Sequence, residues 1–297
     1  IPQRIVILGG GVIGVEMASI FLNLGREVTI LELLPDILMT EDEEIRRSMR
    51  ILLERRGAKI QLKAKATEVS TRGGQVGVSY ESPGGQIETI KGDRLLVATG
   101  REPVLDGIDA EKLGLQKAGP YVRVNSRLET NLKGVYAIGD LVGGMMLAHK
   151  ASAEAESAVE NILGKKREVN PNWVPRCIWG LVEIGAVGMT EKEAKETGRK
   201  IKAGRFPYTN SGAAQAMGEA NGFVKIIGDA DSGEILGVHI MGEHATDLIG
   251  DPITAMNMDG AVEDLAEGIK PHPTLSETIK EAALDWSGLV IHSPRKK

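Results

Sequence analysis

Two stretches of the sequence carry residues able to do chemistry. In KPHPTLSETIKEA (270–282), His272 sits between Pro271 and Pro273, and Glu277 follows five positions later. An imidazole titrates near neutral pH, so it can take up and release protons at a substrate. Prolines on both sides restrict the backbone and remove N–H groups, which fixes where the ring points. A carboxylate bonded to one ring nitrogen selects the tautomer and stabilises the imidazolium. Thr274 to Glu277 also spells T-x-x-E, a helix capping box. Glu277 therefore has two readings, partner of the ring or cap of its own helix.

The second stretch, GGGVIG, places Gly9, Gly11 and Gly14 as G-x-G-x-x-G after an apolar strand and before a helix. The first glycine makes the tight turn, the second lets backbone approach a pyrophosphate, and the third lets helix and strand pack closely. Free N–H groups at the helix start then face the phosphates. Glu32 lies at the end of the next strand, 18 positions after Gly14. An acid there accepts hydrogen bonds from ribose hydroxyls and repels a 2′-phosphate, so the pattern points to NAD over NADP. The bland alternatives are a structural turn and a solvated strand-end carboxylate. Glu16, in the first turns of the same helix, either complements the helix dipole or reaches the nicotinamide.

The surrounding elements must position these residues. RIVIL (4–8), a helix to Gly25 and EVTILEL (27–33) begin a doubly wound α/β sheet. Thr40 and Glu43 fit a capping box for a charged helix running to about Arg56. AKIQLK, ATEVST, QVGVSY and QIETIKG read as an antiparallel meander. RLLVATG (94–100) and VYAIGD (135–140) read as buried strands, and a helix is expected over about 146–163. GKKREVNPN (164–172) reads as a linker. Beyond it, strands are expected near 174–178, 182–187, 200–206, 222–228 and 235–241, with helices near 190–198, 245–258 and 274–284. That part is an α+β domain.

Composition narrows the function classes. Apolar residues make up 42% and the net charge is −5, which implies no general affinity for nucleic acid or anionic membrane. The basic tail Arg295–Lys297 is too short to change that. No apolar run is long enough to span a bilayer. The single cysteine, Cys177, excludes an internal disulfide and fits a reducing, cytoplasmic setting. In VPRCIW it is expected to be buried and inert. The chain opens directly on a core strand without an initiator methionine, as if it were part of something longer.

Taken in order, GGGVIGVE, ILE, ATGREP, VYAIGD, MLAHKA, LGVHIMG and HPTLSE resemble the flavin-dependent pyridine nucleotide–disulfide oxidoreductases, specifically their lipoyl-oxidising branch. The resemblance runs over nearly the whole chain. It implies a Rossmann-like NAD domain over residues 1–103, a returning part of an FAD domain over 104–168, and an α+β dimer-interface domain over 169–297. It implies that Gly100 lies near the nucleotide, that Asp140 bonds the ribityl chain of FAD, and that Met146, Leu147, Ala148 and His149 lie along the flavin. From the residues alone, Asp140 is equally a turn residue. The resemblance makes His272 the acid–base that serves a dithiol and Glu277 its partner. It implies NAD and FAD as cofactors, a homodimer, and a lipoyl-bearing protein as substrate.

Two family features do not occur in these 297 residues, a Cys-x4-Cys redox pair and a second G-x-G-x-x-G for the FAD adenosine. The chain is therefore expected to be inactive alone, with a half-built flavin pocket and some apolar surface exposed. The alternative is a non-enzymatic module that binds NAD and dimerises, or that joins a separate flavin-domain chain. A glutathione-reductase-like member using NADP is disfavoured by Glu32. His239 reads as a core or interface histidine and His244 as a cap or surface residue. No histidine pair has metal-ligand spacing.

Overall fold

The computed structural model describes residues 1–294; the basic tail Arg295–Lys297 lies outside the described residues. The chain forms two compact units, one of Ile1–Thr99 with the segment from Pro175 onward, the other of Gly100–Val174.

The first unit opens with β1 (Arg4–Leu8), α1 (Val12–Asn23), β2 (Glu27–Glu32), α2 (Glu43–Arg55) and β3 (Lys59–Leu62). The meander β4 (Lys65–Arg72), β5 (Gln75–Glu81) and β6 (Ile87–Gly92) follows, and β7 (Arg94–Val97) returns beside β1. The parallel order is β3-β2-β1-β7. Side chains alternate along a strand, and β1 uses both faces. Ile5 and Ile7 join a core with Val15, Ala18, Ile45 and Met49 of the helices. Val6 points the other way, onto Val78 and Tyr80 of the meander. Helices thus cover one face of the sheet and the meander the other, where a doubly wound sheet would carry more helices.

Two local expectations are corrected here. AKIQLK does not belong to the meander. It is the edge strand β3, paired with β2 in parallel, because Ile60 and Leu62 pack on the helix-side core. The α2 cap is Asp42, whose side chain accepts the Glu44 N–H, and not Thr40.

The second unit contains a short hairpin, β8 (Lys117–Ala118) with β9 (Tyr121–Val122), and α3 (Ala148–Ile162). VYAIGD is not a strand. Among the described residues it finds one isolated bridge, Tyr136 to Glu129, and then tightens into a 3-10 turn over Gly139–Val142. A strand needs a partner to satisfy its backbone, and this stretch has one at a single residue. A buried ion pair, Lys150 to Glu154 at 2.6 Å, braces α3, and Glu154 also accepts the Gly139 N–H. Val159 and Ile162 on α3, and Leu163 just past its end, are exposed.

The first unit resumes with β10 (Arg176–Trp179), β11 (Glu183–Gly188), α4 (Glu191–Glu196), β12 (Ile201–Pro207), α5 (Gly212–Met217), β13 (Phe223–Asp229) and β14 (Ile235–Met241). The strands form an antiparallel sheet of order β10-β11-β14-β13-β12. Helices α6 (Ala245–Leu248), α7 (Gly250–Asn257), α8 (Val262–Glu267) and α9 (Glu277–Ser287) complete it. The helix expected over 245–258 is broken into α6 and α7. Gly204 lets α9 lie directly on the sheet, since a Cβ there would sit 2.1 Å from the Ala282 carbonyl oxygen. No helix among the described residues is long and apolar enough to cross a membrane.

One rung of this sheet is cationic. Arg176, Ala186, His239, Lys225 and Arg205 are directly opposed from strand to strand, so their side chains share a face. That face meets the acidic start of α2. Arg176 pairs with Glu41 at 3.0 Å, Lys225 with Asp42 at 2.8 Å, and Arg205 with Glu44. Lys225 also reaches Glu191 at 2.7 Å. The Lys225 and Asp42 side chains are 7% and 1% exposed. Burial works to raise the Asp42 carboxyl, but the hydrogen bonds from Lys225 and the Glu191 N–H outweigh it and hold Asp42 below its ordinary value. Burial likewise opposes the charge on Lys225, and its two carboxylate partners outweigh it and push its pKa up.

Lys225→Met leaves Asp42 buried without its cation, so urea unfolding at neutral pH should show a loss of about 3–5 kcal/mol. Asp42 is lower in the folded state than its ordinary 3.8, so its stabilising contribution is complete above that pH and is lost as the pH falls through the folded value. The gap in urea midpoint between the native chain and Asp42→Asn should accordingly shrink on acidification. An undiminished gap would refute this account of Asp42.

Candidate functional site

The glycine-rich turn between β1 and α1 is locked from several sides. The Gly9 N–H donates to the Leu31 carbonyl at 2.9 Å, and the Leu38 N–H donates to the Gly10 carbonyl at 2.9 Å. Gly9 has φ +101°, and a Cβ there would lie 2.3 Å from the Ala98 carbonyl oxygen. At Gly14 a Cβ would lie 1.9 Å from the Gly9 carbonyl oxygen. These two glycines therefore serve the turn and the close packing of α1. Gly11 is different, because a Cβ there would meet nothing within 4 Å. It is also the N-cap of α1, with no side chain capping the helix. Open space, backbone and a positive helix end coincide there, which suits a phosphate.

Glu32 is buried, at 7% exposure, and is not a solvated strand-end carboxylate. One oxygen accepts the Gly10 N–H and the other accepts the Leu34 N–H at 2.7 Å. Each oxygen retains a second acceptor position, so the acid is held beside the turn with capacity to spare. Gly10, the middle glycine, escaped the motif reading. A Cβ there would press on Ile37 at 2.7 Å and on Glu32 at 3.1 Å. The three consecutive glycines were its only signal. Glu16 lies in the second turn of α1, where its carboxylate accepts the Trp179 N–H at 3.0 Å.

His272 and Glu277 come together as expected. His272 Nδ1 is 2.9 Å from Glu277 Oε1, while Glu277 Oε2 accepts the Thr274 N–H at 2.9 Å. The ring-partner reading of Glu277 holds, but the T-x-x-E capping box does not form: the Thr274 hydroxyl donates to the Pro271 carbonyl, and no side chain caps α9. The N-cap position itself is Ser276. The His272 side chain is 77% exposed, and the His272–Pro273 bond is cis. Burial works to raise the Glu277 carboxyl, but the Thr274 N–H and the His272 ring outweigh it, so it stays low and ionised.

The remaining candidates lie in the second unit or outside these clusters. In the second unit, Gly100 has φ +126°. Asp140, in the 3-10 turn, faces Arg101 at 3.5 Å. Met146 and Leu147 are half-buried, and Ala148 and His149 are exposed at the start of α3, which no side chain caps. His239 is fully buried, and its Nε2 lies 2.9 Å from the Met189 carbonyl oxygen. Desolvation lowers its pKa, so it is a neutral core histidine. His244 begins α6 in a left-handed conformation with φ +59°. Cys177 is half-buried, and burial together with the carboxylates of Glu183, Glu41 and Asp247 raises its pKa, which leaves it a poor nucleophile. No metal-binding cluster of His, Cys, Asp or Glu occurs among the described residues.

The profile of the pyridine nucleotide-disulphide oxidoreductases matches residues 1–155, and that of their dimerisation domain matches residues 174–283. The chain belongs to this family. Among its relatives, the mitochondrial dihydrolipoyl dehydrogenase of Pisum sativum is 41% identical over 98% of this chain and 59% of its own length. The dihydrolipoyl dehydrogenase of Bacillus subtilis is 40% identical over 98% of this chain and 62% of its own. A crystal structure of LpdA from Mycobacterium tuberculosis superposes with a TM-score of 0.88 at 27% identity, covering 95% of this chain and 61% of that one. The chain thus spans about three fifths of the length of the relatives it matches.

Within this chain the glycines should separate by role. Gly14→Ala forces backbone against backbone and should cost about 3 kcal/mol in urea unfolding. Gly11→Ala should cost the fold no more than about 1 kcal/mol, for a poorer N-cap. It should still weaken NADH binding, read by fluorescence titration, by about tenfold or more. Unchanged NADH affinity in Gly11→Ala would remove the phosphate from this turn.

Proposed function

We propose that this chain is the nucleotide-binding and interface portion of a dihydrolipoyl dehydrogenase, an enzyme that reoxidises dihydrolipoyl groups through a redox disulfide and passes the electrons through FAD to NAD. The observation that carries the reading is the exposed His272 ring held on Glu277 at 2.9 Å, in a chain that also folds a nucleotide-type glycine turn around a buried Glu32. The proposed division is an NAD domain over 1–103, the returning FAD segment over 104–168, and the interface domain over 169–297. A homodimer fits the exposed Met258, Ile269, Leu289 and Ile291 of that last segment, and the single cysteine fits a reducing compartment such as the cytoplasm.

Each residue has a task in this reading. His272 takes a proton from a thiol, since the thiolate is the species that exchanges with a disulfide. Glu277 holds the ring by Nδ1, which leaves Nε2 as the working nitrogen, and stabilises the imidazolium once it forms. Gly9, Gly11 and Gly14 shape the pyrophosphate cradle, with Gly100 at the domain exit. Glu32 accepts from the ribose hydroxyls, and Glu16 borders the nicotinamide. Asp140 and the stretch Met146, Leu147, Ala148 and His149 would hold FAD, and the fit is partial: the Asp140 carboxylate is half exposed beside Arg101 and no side chain caps the α3 start, while the adenosine motif is not within this sequence. FAD, when bound, supplies two-electron transfer between the dithiol and the nicotinamide.

With Cys177 as its single cysteine, the 297-residue chain by itself should not reduce lipoamide with NADH; turnover would sink the assignment of the disulfide to another segment. Joined to a flavin segment bearing Cys-x4-Cys, it should turn over lipoamide. His272→Gln should then lower kcat by about 10²- to 10⁴-fold with NADH binding unchanged. Preference for NADP⁺ over NAD⁺ in titrations of the chain would overturn the role given to Glu32.

A further inference from the structure

The second unit holds a buried ion pair where a helix gains least from one. Lys150 Nζ lies 2.6 Å from Glu154 Oε1, one turn on, and both side chains are buried. Lys150 is in the first turn of α3, at the positive end of the helix dipole, where a cation is disfavoured. Lys before Glu is also the weaker order for an i, i+4 pair. A buried pair of this kind adds little stability over apolar side chains of the same volume. Apolar side chains, however, cannot bond backbone.

Both members of the pair do bond backbone, on either side of Asp140. Glu154 Oε2 accepts the Gly139 N–H at 2.8 Å, and Lys150 Nζ donates to the Gly143 carbonyl at 3.2 Å. Gly139 opens the 3-10 turn Gly139–Val142 and Gly143 caps its end. The Gly143 N–H closes the turn on the Asp140 carbonyl at 3.3 Å. A Cβ at Gly139 would lie 3.4 Å from Ala151 Cβ, and one at Gly143 would press on the Tyr121 ring at 2.8 Å. The turn is therefore seated on α3 at one end and on β9 at the other. Its backbone is fixed, while the Asp140 carboxylate stays half exposed beside Arg101.

We propose that Lys150 and Glu154 are positioning residues for the flavin half-site, a buried ion pair that ties both ends of the Asp140 turn to the start of α3. The proposal rests on the flavin reading of Asp140 and residues 146–149 for its purpose, while the lock itself is made by the contacts of Lys150 and Glu154 alone. Asp140 and the 146–149 stretch are separate in sequence, and the pair makes them one body. Asp140 then keeps its place before a flavin arrives, so binding does not have to order the turn. A plain brace for α3 would instead affect stability and leave the hold on FAD as it is.

The double variant Lys150→Met/Glu154→Met tests this, because it replaces the pair with apolar side chains of similar length and leaves no buried charge. In the 297-residue chain, amide hydrogen exchange at Gly139 and Gly143 should speed up by about tenfold or more, with the urea midpoint near the native one. In the enzyme completed by its flavin segment, FAD retention, read by flavin fluorescence after dilution, should weaken by about tenfold or more with NADH affinity unchanged. Lys150→Arg keeps a cation and its donors and should behave as the native chain in both measurements. Glu154→Asp keeps both charges but withdraws the carboxylate from Gly139, and it should move both readouts the same way if the double variant does not fold. Faster exchange with native FAD retention would overturn the positioning role and leave the pair a brace. Unchanged exchange at the turn would overturn the lock. Failure of the flavin reading looks different, because Asp140→Asn would then leave FAD retention native too, and the purpose of the lock would fall with it. If Asp140→Asn weakens retention and the double variant does not, the flavin reading stands and this proposal falls.

Discussion

The first unit depends on a rung of cations meeting the acidic start of α2. Arg176, Lys225 and Arg205 project from one row of the five-stranded sheet onto Glu41, Asp42 and Glu44. Three acids this close repel one another, and two of them, Glu41 and Asp42, are buried. The positive end of α2 and the opposed cations make the cluster tolerable. Buried ion pairs of this kind add little net stability compared with apolar contacts, but they penalise any arrangement that leaves one member unpaired. The rung therefore sets which way the parallel sheet, through α2, meets the five-stranded antiparallel sheet. The apolar core running from Ile7 and Met49 to Ile178, Phe223 and Met241 supplies adhesion that is less directional.

Glu32 applies the same economy on a smaller scale. A buried carboxylate needs hydrogen bonds, and it obtains them from Gly10 and Leu34, the two backbone segments that must be brought together to form the nucleotide turn. Glu32 is thus the clasp of the glycine-rich turn, which in the proposed function would also place it at a ribose. It cannot swing away from an incoming group. Under the proposed role, a ribose with free hydroxyls would meet fixed acceptors there, whereas a 2′-phosphate would meet a fixed negative charge.

The strands and helices that carry the site were legible because their patterns are local. RIVIL, EVTILE and the alternating strands beyond residue 174 hold their positions to within a few residues. The misreadings share one cause, which is that pairing is not local. AKIQLK alternates like a meander strand, yet Ile60 and Leu62 find the helix-side core and draw it into the parallel sheet. VYAIGD looks like a buried strand but has a ladder partner at one residue only. At α2 two acceptors stood near the helix start, and the cation of Lys225 favours Asp42. Helices α5 and α8 are too short for a periodic pattern to emerge. Lys150 and Glu154 gave no motif of their own. Their spacing of four on one helix was the signal that could have found them.

Glu277 shows how one carboxylate can hold a ring and a backbone N–H together. A carboxylate has two oxygens and roughly four acceptor positions. Fixing one oxygen on the Thr274 N–H removes the rotational freedom that would otherwise let the other leave the ring. That bond to backbone is the means by which Glu277 is held on the His272 ring in one orientation. An exposed imidazole on an unanchored acid would sample many orientations, at an entropic cost to any one of them. Because α9 is itself packed on the sheet through Gly204, the anchor extends from ring to carboxylate to helix to sheet. The rigidity at His272 is inherited from the same sheet whose cationic rung holds the start of α2 in place.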